Sequence, residues 1–167
     1  FRLMDYEEAL LNLNLLIGNE LKLDANKYFG YEFKEKKFYT NYLRGFSKSE
    51  LQDYKGAISD YKKVIDHYRN LSNIPNGWNQ TNILAQSYYG IGVAKFNIMD
   101  FSGAIDSFSE AIKIDPNYSQ AYYARGFAKL EMKDIDGGCS DSEIAFKKGY
   151  KALGLDSLGE IGVSLCF

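Results

Sequence analysis

Few side chains in this sequence are of the types that carry covalent or metal chemistry. There is one histidine, His67, and there are two cysteines, Cys139 and Cys166. A cysteine nucleophile needs a base within hydrogen-bond reach, and a zinc site needs convergent nitrogen and sulfur ligands. His67 lies in the charged stretch Asp66-His67-Tyr68-Arg69, far upstream of both cysteines, so neither arrangement has local support. No phosphate-binding glycine loop and no nucleophile-elbow motif occurs. The residues therefore predict no catalytic centre, no metal site and no cofactor, with His67 a surface residue. Cys139 and Cys166 read as reduced, buried residues; a disulfide between them is the geometrically conceivable alternative. The sequons at Asn70, Asn79 and Asn117 would matter only in a glycosylating secretory compartment.

Charges at regular spacing say more. Arg44 precedes Asp60 by sixteen residues, and Arg125 precedes Asp141 by the same interval. At the corresponding places between them stand Ile91 and Ser107, so the two charges are present together or absent together. That pattern predicts an ion pair across two antiparallel helices, in a structural role worth on the order of 1 kcal/mol when partly buried.

The elements that would position these pairs repeat along the chain. Asp100, Phe101, Gly103, Ala104 and Ile105 recur thirty-four residues later as Asp134, Ile135, Gly137, Gly138 and Cys139, and Gly92 recurs as Gly126. Upstream, Asp53, Tyr54, Gly56, Ala57 and Ile58 answer the same places at an offset of forty-seven, which leaves about thirteen extra residues between the copies. The stretch from Ala85 to Tyr118 reads as two amphipathic helices with a tight turn at Met99 and Asp100, stopped by Pro116.

A helix pair with this period, aromatics at Tyr88 and Tyr89, a small residue at Gly92, then Ala104, Phe108, Ala111 and Pro116, resembles the tetratricopeptide repeat. The resemblance implies an all-α fold, a right-handed α-α superhelix of helix-turn-helix repeats, forming one domain over residues 1–167. A half repeat would occupy 1–18, full repeats 38–71, 85–118 and 119–152, and a capping helix 155–166. The third copy departs most, with Gly138 for alanine, Ser142 for a large residue and no closing proline, so its second helix should be the least stable. Asp5 and Glu8 would form a capping box on the half repeat, whose Leu10, Leu13 and Ile17 are left without a partner helix. Either further chain or another molecule is expected to cover them, and the sequence reads as a fragment.

Between the repeats the pattern breaks twice. Asn19 to Lys37 carries Tyr28, Phe29, Tyr31 and Phe33 around Gly30, and fits a strand, an irregular loop or a helix running into the next repeat. It reads as a packed connector or a partner-binding segment. Trp78, the only tryptophan, lies in the turn-rich SNIPNGWNQTN insertion, as a hydrophobic staple or a binding anchor. The second helix of the first repeat should run past its usual end, since no breaker occurs before Ser72.

In tetratricopeptide proteins the first helices line a concave face where peptides bind. Carried over, that face comprises Tyr42, Phe46, Tyr89, Val93, Phe96, Asn97, Tyr123 and Phe127, with Gln86 and Gln120 beside them. It is aromatic and nearly uncharged. Tyr42, Phe46, Gly90, Gln120 and Ala124 do not supply the lysine and asparagine clamp with which members of this family grip chaperone C-termini. The expected function is a non-catalytic protein-protein interaction scaffold binding a protein or peptide; the alternative is a regulatory or substrate-presenting part of a larger enzyme or transport complex. Self-association through the open half repeat is a further expectation. With 20 basic against 22 acidic residues the chain has no net attraction for nucleic acid, and no apolar run reaches the ~20 residues of a membrane span. The compartment is not fixed by the sequence, with the cytoplasm slightly favoured.

Overall fold

The computed structural model describes residues 30–69 and 80–150, together with Glu8, Leu10, Leu11, Asn12 and Asn14, which are helical. Six helices follow in order: α1 Gly30–Glu50, α2 Tyr54–Arg69, α3 Gln80–Asn97, α4 Phe101–Ile114, α5 Ser119–Glu131 and α6 Ile135–Lys147. The chain is an all-α solenoid. Each odd-numbered helix forms a hairpin with its successor, α2 then packs on α3 and α4 on α5, and α1, α3 and α5 meet in one layer.

One turn, used three times, makes the hairpins. Gln52, Met99 and Lys133 adopt left-handed φ values of 63°, 63° and 67°. The next residue, an aspartate each time, donates its N–H back to the last turn of the first helix: Asp53 to Lys48 O at 2.8 Å, Asp100 to Lys95 O at 2.9 Å, Asp134 to Lys129 O at 3.0 Å. This is a Schellman closure made without glycine. The same aspartate caps the second helix, its carboxylate accepting from the N–H of Gly56, Gly103 or Gly137 at 2.9–3.0 Å. Glycine suits that place because a Cβ there would lie 2.0–2.3 Å from Oδ2, the second oxygen of the capping carboxylate.

Close approach between helices fills the interior. Phe108 is 1 % exposed and fits where a Cβ on Gly92 would lie 2.5 Å from its ring. Tyr61 of α2, 2 % exposed, sits between Gly45 of α1 and Gly90 of α3, whose added Cβ would come within 2.6 Å of it. Around Tyr61 gather Ala57, Ile65, Tyr88, Ile91, Ala111, Ile112 and Ala121. Burying a side chain the size of Phe108 stabilises the fold by about 1.5–3 kcal/mol. Small residues at the crossings let such rings reach across without voids.

Both expected ion pairs form. Arg44 Nε donates to Asp60 Oδ2 at 2.7 Å and Arg44 Nη2 to Oδ1; Arg125 makes the same fork to Asp141 at 2.7 and 2.6 Å. Lys48 and Lys63 also reach Asp60, at 2.8 and 3.0 Å, and Lys129 reaches Asp141 at 2.8 Å. Burial alone would push the Asp60 carboxyl up, but the hydrogen bonds from Arg44, Lys48 and Lys63 outweigh it and hold the group at about 2. In the middle hairpin Ile91 and Ser107 are buried instead, and Ser107 Oγ turns onto its own helix at Gly103 O, 2.7 Å away. Arg44 Nη1 also donates to Asn14 Oδ1 at 3.3 Å, which ties the N-terminal helical stretch to α1.

Three expectations need revision or completion. Cys139 is disulfide-bonded, not reduced, and Cys166 is the one other cysteine the sequence offers. Helical periodicity places Cys139 on a face, but it carries no sign of what remote residue that face meets. Residues 30–37 belong to α1, which settles that part of the 19–37 connector as helix. His67 is half-buried with its ring 5.2 Å from that of Tyr68, so the surface reading is too open. As expected, α2 outlasts its counterpart, with 16 residues against 14 in α4. Asp5, Trp78, the rest of the connector and the capping helix at 155–166 lie outside the described residues.

Candidate binding groove

The expected groove residues come from α1, α3 and α5, and the structure gives them different surroundings. On α1, Tyr42 is half-buried, stacked on Tyr39 at 6.2 Å and tilted against Tyr61 at 5.8 Å. Phe46, one helical turn on, is 43 % exposed. On α3, Tyr89 lies 5.6 Å from Phe108 and 5.1 Å from Tyr118. Val93 and Phe96 are half-buried against the cluster of Ala104, Phe108 and Ala128, and Phe96 meets Phe101 edge-on at 5.2 Å. Asn97 is exposed and returns its amide to Val93 O at 2.9 Å. On α5, Tyr123 meets Phe127 at 4.9 Å, Phe146 at 6.3 Å and Tyr150 at 4.3 Å. Gln86 is half-buried, and Gln120 is exposed with Ser119 Oγ 3.2 Å from its Oε1.

Rings thus follow one another from α1 to α6. Tyr89 and Tyr42 lie near enough to Tyr118 to add to the cost of ionising its phenol, and Tyr150 acts on Tyr89 in the same way. Burial is the main cause of the upward shift at Tyr42, Tyr89, Tyr118, Tyr123 and Tyr150, with neighbouring phenols adding to it at the first four. These phenols are neutral donors near pH 7. Arg44, Lys48, Arg125 and Lys129 on these first helices are drawn onto Asp60 and Asp141, while Lys95 of α3 donates to Gly103 O at 3.1 Å. The place of a clamp residue at Gly90 is closed by Tyr61.

Three residues extend the row beyond the sequence-based set. Tyr39 is 48 % exposed and stands one turn before Tyr42 at i−3, a spacing that would have found it. Tyr150 and Phe146, the latter 39 % exposed, come from the end of α6 and the segment after it. Tyr150 stands where the second repeat has Pro116, so a repeat pattern read for packing residues passes over it.

Tetratricopeptide-repeat families match this chain twice, at residues 39–70 and at residues 100–133. No curated protein matches it in sequence. Among solved structures, the first tetratricopeptide domain of Spaghetti (RPAP3) bound to the HSP90 peptide SRMEEVD aligns with a TM-score of 0.63 at 17 % identity, over 78 % of this chain and 91 % of that one. The TPR2B domain of yeast Sti1, in complex with pHsp70, gives 0.59 at 22 % identity over 77 % and 91 %. A crystal structure of MamA gives 0.56 at 20 % identity over 66 % of this chain, which spans 57 % of the MamA chain. Those likenesses concern the fold. With the two family matches and the repeated hairpins, they make this chain a tetratricopeptide-repeat protein.

Proposed function

We infer that the chain is a non-catalytic protein-interaction scaffold that holds a peptide segment against the ring-lined face of α1, α3 and α5. The observation carrying this reading is the run of rings from Tyr39 to Tyr150, with Tyr39, Phe46 and Phe146 exposed, on helices where Arg44, Lys48, Arg125 and Lys129 are held by Asp60 and Asp141. Exposed aromatic surface bordered by polar residues is the usual mark of an interface. The RPAP3 and Sti1 domains, described with HSP90 and Hsp70 peptides, support peptide capture as a use of this fold. The ligand here differs from an acidic tail such as SRMEEVD, because the face offers rings and phenols in place of a cationic clamp.

The test is a selection of random dodecapeptides displayed on phage, with the whole chain immobilised. Peptides that bind it and fail on a Tyr39→Ala, Phe46→Ala, Tyr123→Ala variant of unchanged helicity would support the groove. Equal capture by both proteins would place binding elsewhere and end this reading.

A further inference from the structure

The third hairpin lacks part of what holds the second one together. Phe108 of α4 reaches into the gap at Gly92 of α3; at the same repeat place α6 has Ser142, and Gly138 stands for Ala104. Ser142 Oγ donates to Gly138 O at 3.0 Å on its own helix, so that place contributes no ring to the interface of α5 and α6. Gly137 and Gly138 are adjacent in the first turn of α6, and glycine within a helix favours the unfolded chain.

Support for α6 is also one-sided. Whereas α4 lies between α3 and α5, α6 packs chiefly on α5 among the described helices. Ile112 of α4 is buried in a cluster that includes Ala121 of α5; its counterpart in α6, Phe146, is exposed. Past the end of α6, Lys148 Nζ donates to Asn117 Oδ1 at 3.2 Å, an exposed contact.

A covalent bond distinguishes α6 from α4. Cys139 stands where α4 has Ile105, is half-buried and is disulfide-bonded, and Cys166 is the one other cysteine in the sequence. The bond closes residues 139–166 into a loop that contains most of α6 together with Phe146 and Tyr150. Cross-linking such a loop removes open conformations from the unfolded ensemble. Its stabilisation therefore falls on the helix whose packing is thinner than that of its repeat counterpart.

We propose that the Cys139–Cys166 disulfide is a redox latch on the third hairpin: oxidised, it keeps α6 on α5, and reduced, it lets α6 open by itself while α1 to α4 stay folded. Opening the latch takes two electrons and two protons from a dithiol. One thiolate of the dithiol attacks a sulfur of the pair, the Cys139–Cys166 bond breaks, and the released cysteine takes up a proton. The second thiol of the reductant then displaces the other cysteine, which leaves two protein thiols and an oxidised dithiol. Phe146 and Tyr150 lie inside the latched loop, so their contacts with Tyr123 open with it. The latch concerns the hairpin alone and stands whether or not the ring-lined face binds a peptide.

The experiment is hydrogen exchange of the full chain read by mass spectrometry, before and after treatment with dithiothreitol. Peptides from α6 should exchange at least about tenfold faster after reduction, and those from α2 and α4 should change by less than about twofold. Re-oxidation should restore slow exchange in α6. A Cys139→Ser, Cys166→Ser variant should exchange like the reduced protein, with or without dithiothreitol. Equal exchange of α6 in the two states would overturn the proposal. Equal acceleration of α4 and α6 would overturn it too, because the bond would then be a staple for the whole domain. So would a non-reducing peptide map in which Cys139 and Cys166 are not joined to each other. The wild-type comparison needs no substitution and decides the matter even if the double variant fails to fold.

Discussion

Replacing Asp60 by asparagine separates its charge from its shape. Asp60 has a fully buried side chain, and the cations of Arg44, Lys48 and Lys63 face it. Its carboxyl sits at about 2 when folded, below its ordinary value of 3.8. A depressed folded value contributes stability above the unfolded pKa and loses it as pH falls through the folded one. At about 1.4 kcal/mol per unit, the contribution is roughly 2 kcal/mol at pH 7, nearly all of it gone by pH 2. Asp60→Asn has no charge to titrate. Its deficit relative to wild type should therefore shrink by about 2 kcal/mol between pH 6 and pH 2, beyond a constant cost from leaving Arg44 half-buried without its anion. Urea unfolding followed by circular dichroism at several pH values measures the difference directly. A deficit that stays constant from pH 6 to pH 2 would refute the reasoning, since the carboxylate would then be no better held in the folded state than in the unfolded one.

Two further outcomes follow from the turns and crossings. Met99 is 79 % exposed at φ 63°, so Met99→Gly should relieve about 1 kcal/mol of left-handed strain and raise the melting temperature by roughly 2–4 °C; a lower melting temperature would show that the side chain contributes more than the backbone suffers. Gly126→Ala puts a Cβ 2.9 Å from the backbone oxygen of Gly138, which cannot rotate away, and should cost about 1–3 kcal/mol by urea midpoint. No change would mean that α5 and α6 can part without penalty.

Much of this was legible because it is written more than once. The Asp-x-x-Gly caps at Asp53, Asp100 and Asp134 and the Arg44–Asp60 and Arg125–Asp141 pairs repeat at fixed spacing, and a local geometry demanded repeatedly leaves a repeated trace. The bonded state of Cys139 left none, because a single cross-link between remote segments has no period. The start of α1 was ambiguous for another reason. Gly30 and its flanking aromatics suit a connector as well as a helix, and glycine is tolerated at a helix start where it would be costly inside. In the groove, sequence distinguishes first helices from second but not open rings from packed ones. Tyr89 and Phe96 look like Tyr39 on the page, yet Phe108 and Phe101 lie against the first two.

The aspartate turns also govern where the chain can be lengthened. In each hairpin one residue closes the first helix with its N–H and opens the second with its carboxylate, so adding a residue there would break both ends at once. All three hairpin turns accordingly have the same length of three residues, 51–53, 98–100 and 132–134. In the described junction between α4 and α5 no residue has that double duty, and between α2 and α3 the family's spacing has been stretched by about thirteen residues. Grafted loops and tags belong at that junction, which has already accepted an insertion, and the helix-to-helix turns should refuse them.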